Sequence, residues 1–136
     1  MRVVFDTNVL IYSIVNDGEH ESARELVLAA ANERLEGLIT ANSVTDIYYI
    51  LRKRIGDARA REALWNLMTV FGVVEVDGEV CATALGSPMK DFEDAVLAQC
   101  AKKANADCIV TEDQALLFDG ASPVTLMSIE TLLSAI

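Results

Sequence analysis

At 136 residues, 52% of them apolar and 24% charged, the chain has the balance of an ordinary globular protein, and residues 1–136 are expected to form one domain around one continuous core. The formal charge of −10 argues against a protein that coats nucleic acid by bulk attraction, because neutralising phosphates takes Lys and Arg in excess. No apolar stretch approaches the roughly 20 residues of a membrane span and the first residues lack a basic-then-apolar leader, so a cytoplasmic protein without membrane contact is expected.

Arg2 to Phe5 is a short β-branched run stopped by Asp6-Thr7-Asn8, after which Val9 to Tyr12 continues as a helix. Between residues 19 and 35, Ala23, Leu26, Val27, Ala30 and Ala31 form the stripe of an amphipathic helix, with Gly37 read as its stop. Leu38-Ile39-Thr40 is a second strand, and Asn42 or Ser43 then caps a helix with Val44, Ile47, Tyr48, Leu51 and Ile55 on one face. Gly56-Asp57 turns the chain into another helix over 58–70. Five of the eleven basic residues, Arg52, Lys53, Arg54, Arg59 and Arg61, crowd this turn with Asp57 as the only acid among them. A landing strip for RNA is one reading, but two solvated helix faces explain the run more simply.

A third strand follows over 72–76, then a helix over 77–85 closing at Gly86-Ser87-Pro88. Helix 91–104 is alanine-rich and apolar around most of its circumference, which predicts burial. Residues 107–111 make a fourth strand, Glu112-Asp113 open a short helix to Leu117, residues 124–126 make a fifth strand, and Ser128 caps a terminal helix. Strands alternating with helices imply an α/β fold: a three-layer α/β/α sandwich around a central, mainly parallel five-stranded sheet. Ligands of such sheets bind beyond the carboxyl ends of the strands. Cys81, Cys100 and Cys108 have no CxxC spacing and read as reduced core residues.

Asp6 and Asp113 follow strands and should project onto the same sheet edge; taken singly, each has a capping explanation. Asp46 lies three residues after Ser43, as in a capping box, and Asp91 and Asp94 repeat that spacing. Asp94, however, heads an apolar face with Leu97, Ala98 and Ala101, so its carboxylate points inward and wants a partner. Two carboxylates about 4 Å apart repel by roughly 4 kcal/mol at an effective dielectric near 20. Apart from Lys90, the strand ends and helix starts hold almost no base to offset this. A shared proton or a hard cation such as Mg²⁺ or Mn²⁺ would; zinc fits poorly, since the only histidine is His20, read as a solvated residue at a helix start.

The stretches FDTNVLIYSI, ANSVTDIYYILRKR and KDFEDAVLAQCAKKANADCIVTED, in this order and over essentially the whole chain, resemble the PIN-domain nucleases, including the VapC-like toxin ribonucleases. The resemblance implies an acidic pocket of Asp6, Asp46, Asp94 and Asp113, with Asn8 and Thr111 as polar supports and Asp91 as an additional ligand. It also implies single-stranded RNA as substrate, cleavage leaving a 5′-phosphate, a small antitoxin as partner and a homodimer. Asp46 departs from the pattern, because the family more often has Glu there and Asp is one methylene shorter. The implied chemistry is hydrolysis by a metal-activated water, with no protein nucleophile. Asp6 and Asp94 are expected to ligate directly, while Asp46 and Asp113 complete the ring or orient the water. Two other classes compete: a Mg²⁺-dependent phosphoacceptor signalling domain, whose usual lysine after the last strand is replaced by Met127-Ser128-Ile129, and a PIN-like binding module without catalysis.

Overall fold

The computed structural model describes residues 1–15 and 20–136. The elements run β1 (Arg2–Phe5), α1 (Thr7–Ile14), α2 (Glu21–Ala31), β2 (Glu36–Thr40), α3 (Ala41–Ile55), α4 (Asp57–Val70) and β3 (Gly72–Val74). They continue as α5 (Gly78–Leu85), α6 (Phe92–Lys103), β4 (Cys108–Val110), α7 (Gln114–Leu117), β5 (Thr125–Met127) and α8 (Ile129–Ala135). All four strand pairings are parallel, in the order β3-β2-β1-β4-β5, with Val4 beside Leu38 and Phe5 beside Val110. The chain therefore builds outward from β1 in one direction, then returns to add β4 and β5 on the other side.

Strand alternation divides the apolar residues between two cores. Val3, Phe5, Ile39, Cys108 and Val110 face α1, α2, α3, α4 and α8; Val4, Ile109 and Leu116 face α5 and α6. These are the three layers of an α/β/α sandwich. Helix α6 is buried as its composition predicts, hiding Ala95, Val96, Leu97, Ala98, Cys100 and Ala101. Cys100 and Cys108 sit in opposite cores and Cys81 is half-buried; all three are free thiols. His20 is not simply solvated: it is half-buried at the start of α2, and its ring stacks on Tyr12 with centroids 4.1 Å apart.

Two expected helix boundaries are corrected. Helix α2 ends at Ala31, and the chain turns through Glu33 at φ 59°, so Gly37 is not its stop. Gly37 is instead a buried strand residue over which Phe71 lies, and a Cβ there would come within 2.5 Å of the Phe71 ring. Helix α3 starts at Ala41, with Thr40 at the cap and no side-chain capping bond. Ser43 thus belongs to the helix rather than capping it, and the box with Asp46 does not form. The start of residue 19's helix lies outside the described residues.

Gly37→Ala tests this close approach. Phe71 is itself held edge-on against Phe5, with centroids 4.8 Å apart, and has little room to retreat. A loss of about 1–3 kcal/mol in urea unfolding is expected, with part of it regained when Phe71→Leu is added.

Candidate active site

The return of the chain from β3 to β4 makes a switch point between β1 and β4, where flanking connections leave in opposite directions and open a crevice at the strand ends. Asp6 follows β1 directly, and Thr111 and Asp113 follow β4. The amide of Asp6 donates to the Val110 carbonyl at 3.0 Å, so strand pairing itself brings the two connections together.

Thr111 is the joint between them. It is fully buried; its hydroxyl donates to Asp6 Oδ2 at 2.8 Å and accepts from the Asp113 amide at 3.1 Å. Asp6 Oδ1 accepts from the Thr7 amide at 2.8 Å, and Asp113 Oδ1 from the Ala115 amide at 2.9 Å. Both aspartates are therefore helix caps, as their positions before α1 and α7 suggest, and both also face the crevice.

The crevice opens into a cleft of about 410 Å³ lined by Asp6, Asn8, Asp46, Glu93, Asp94 and Asp113, with Thr7, Thr40, Asn42, Ser43, Tyr49, Ile50 and Leu97 completing its walls. All four of the expected acids and Asn8 converge there, and among the described residues no Lys, Arg or His lines it. Thr111 supports the cleft from beneath. Asp91 does not line it; exposed at the cap of α6, it accepts from the Asp94 amide at 3.0 Å and aims that residue inward. Hydroxyls underlie the other wall: Ser43 Oγ lies 2.8 Å from Thr7 Oγ1 and 3.0 Å from Thr40 Oγ1, tying the start of α3 to the start of α1. Ser43 read in the sequence only as a cap and Thr7 only as part of the Asp6-Thr7-Asn8 stop, and Glu93 was masked by two stronger acids beside it.

Electrostatics mark the cleft as strained. Asp94 is pushed up to about 6, first by burial and then by the negative charges of Asp91, Asp6, Asp113 and Asp119. Burial also raises Asp6, with Asp113 adding to it, against the lowering effect of the bonds from Thr111 and Thr7. The donor set is entirely oxygen, the chemistry of a hard divalent cation. Among the described residues no three acid, histidine or cysteine side chains already form a closed metal cage.

Residues 2–115 match the PIN domain family. Among solved structures, VapBC2 from Rickettsia felis, bound to a DNA fragment from its promoter, is similar with a TM-score of 0.69 at 17% identity, over 94% of this chain and 98% of that one. A toxin-antitoxin complex from Klebsiella pneumoniae also gives 0.69 at 17% identity, over 93% and 97%. VapC20 from Mycobacterium tuberculosis, a sarcin-ricin loop cleaving toxin, gives 0.62 at 17% identity, over 79% and 86%. At these identities the likeness is one of fold. No curated protein sequence matches the chain.

The raised Asp94 carboxyl makes a stability prediction. The folded chain holds that proton more tightly than the unfolded chain, so stability falls as pH rises from the ordinary value of 3.8 through about 6. In metal-free buffer at pH 7.5, Asp94→Asn should melt about 3 °C above the parent, a figure discounted for partial exposure, and the gap should close near pH 3.5. Parallel melting curves at the two pH values check it; equal gaps at both would remove the electrostatic explanation.

Proposed function

The chain belongs to the PIN domain family of nucleases, and on that premise we propose that it is a ribonuclease hydrolysing phosphodiester bonds of single-stranded RNA with Mg²⁺ or Mn²⁺ held in the acidic cleft. The observation that carries the reading is the convergence of Asp6, Asp46, Asp94 and Asp113 on one cleft that no base lines among the described residues. A divalent cation there would supply Lewis acidity to the phosphate and to the attacking water.

The side chains have separable tasks. Asp6, anchored by Thr7 and Thr111, and Asp94, aimed by Asp91, are the proposed direct ligands. Asp113 and Asp46 stand exposed on either side of them and are proposed to complete the ring or orient water. Asn8 and Thr111 are the polar supports, and Asp91 acts through Asp94 rather than on the cation. Among the described residues that line the cleft, the one serine, Ser43, is bonded to the hydroxyls of Thr7 and Thr40 rather than to a base, which is consistent with attack by water.

A toxin role with a small antitoxin partner is part of the proposal. Supporting it are the complexes among the fold neighbours and an apolar groove of about 690 Å³ between α3 and α4, where Trp65 is 73% exposed beside Tyr48, Tyr49 and Met68. Exposed Leu85, Phe92 and Phe118 in the opposite layer would be covered in a homodimer. A cytoplasmic location accords with the three free thiols, and no described helix is long and apolar enough to cross a membrane.

The phosphoacceptor alternative has no support. Signalling domains of that class share the sheet order 2-1-3-4-5, whereas this sheet runs 3-2-1-4-5.

Cleavage of a panel of single-stranded and hairpin RNAs should require Mg²⁺ or Mn²⁺ and stop with chelator. Asp6→Asn and Asp94→Asn should each lose more than about 100-fold in rate while keeping the parental circular dichroism spectrum. Undiminished cleavage by Asp6→Asn would refute the assignment. A gene neighbourhood with no small companion reading frame able to suppress cleavage would remove the toxin role and leave the nuclease.

A further inference from the structure

An acidic cleft in a chain of charge −10 repels the polymer it is proposed to cut, so an RNA strand must be held by cations placed beyond the acids. One helix face offers them. Asn42, Asp46, Tyr49 and Ile50 of α3 all line the cleft, and Lys53 continues the same i, i+3, i+4, i+7 face toward the basic last turn of Arg52, Lys53 and Arg54. At a rise of about 1.5 Å per residue, Lys53 stands roughly 10 Å past Asp46 and roughly 6 Å past Tyr49.

Tyr49 stands between acid and base. It is 57% exposed, its ring meets Tyr48 edge-on at 5.2 Å, and the Arg52 guanidinium lies 5.5 Å from its centroid. Tyr48 is itself hydrogen-bonded to Asp57, which also takes the charge of Arg61 at 2.9 Å, so the ring behind Tyr49 is fixed. Among the described residues Arg52, Lys53 and Arg54 form no ion pair, which leaves their charges available. The basic window is exposed, and Lys53 continues the helix phase of the residues that line the cleft.

We propose, resting on the nuclease reading above, that this face of α3 is the exit track of the RNA strand, with Tyr49 stacking a base next to the scissile phosphate and Arg52 and Lys53 holding the phosphate beyond it. Stacking on an aromatic ring is indifferent to base identity, and a phosphate contact carries no sequence information. The track therefore positions single-stranded RNA without selecting its sequence, and a duplex, whose bases are already stacked, does not fit it.

Steady-state cleavage of a single-stranded RNA with Mg²⁺ tests the track. Tyr49→Ala should raise KM at least about 5-fold with kcat within about 3-fold, and Tyr49→Phe should restore the parental KM. Lys53→Gln should flatten the dependence of log KM on log salt by about 0.7, the value for one single-strand phosphate. Arg34→Gln, which removes the same charge near the amino end of β2, should leave that slope unchanged. Unaltered KM in Tyr49→Ala, or equal slopes in Lys53→Gln and Arg34→Gln, overturns the track while leaving the nuclease intact. Failure of the parent to cleave RNA with either metal overturns both.

Discussion

Mutual repulsion among carboxylates gathered at one end of a parallel sheet is the constraint that organises this molecule. Asp6 and Asp113 cannot move apart, because their backbones are fixed by the pairing of β1 with β4 and by the bonds of the Asp6 amide to Val110 and of Thr111 to both aspartates. Asp94 is half-buried at the start of α6, whose inner face is packed into the second core, so its backbone cannot retreat from the cleft without unseating that helix. The repulsion is thus enforced by the same hydrophobic cores that stabilise the fold. A polypeptide selected for stability alone would place a lysine or an asparagine there.

That conflict explains the division of labour around the cleft. Neutral hydrogen-bond donors, the hydroxyl of Thr111 and the amides of Thr7, Ala115 and Asp94, steady the acids or their cap without neutralising them. Positive charge is kept away to the last turn of α3, where Arg52, Lys53 and Arg54 also interact favourably with the negative end of the helix dipole. Acid and base are consequently graded along one helix instead of cancelling each other.

The sheet and both layers of helices were legible in the sequence, because strands buried on both faces read as short apolar runs and each was followed by a helical stripe. Asp6 and Asp113 were legible as a pair only once the strands were placed, since each also caps a helix and alone means little. Less legible were positions whose meaning depends on a distant neighbour. Gly37 looked like a helix stop because nothing local announces that Phe71 will lie over it. Ser43 looked like a cap because nothing local shows its partners, Thr7 at the start of α1 and Thr40 at the end of β2. Asp91 and Asp94 share a spacing with ordinary capping boxes, and only the packing of α6 separates the one that aims from the one that is aimed. The basic run at the end of α3 was visible, but which of its members continues the cleft wall follows from helix phase measured against Asp46.

Thr111 has a consequence of its own. Since one buried hydroxyl bridges Asp6 to the backbone of Asp113, the entropy of gathering these two carboxylates is lost during folding and would not be lost again on binding the proposed cation. Asp46 and Asp113 keep exposed side chains whose rotamers can still adjust. The cleft is thus preorganised at its floor and compliant at its rim, so a cation held there as proposed would take its position from the sheet while the rim carboxylates adjusted to it.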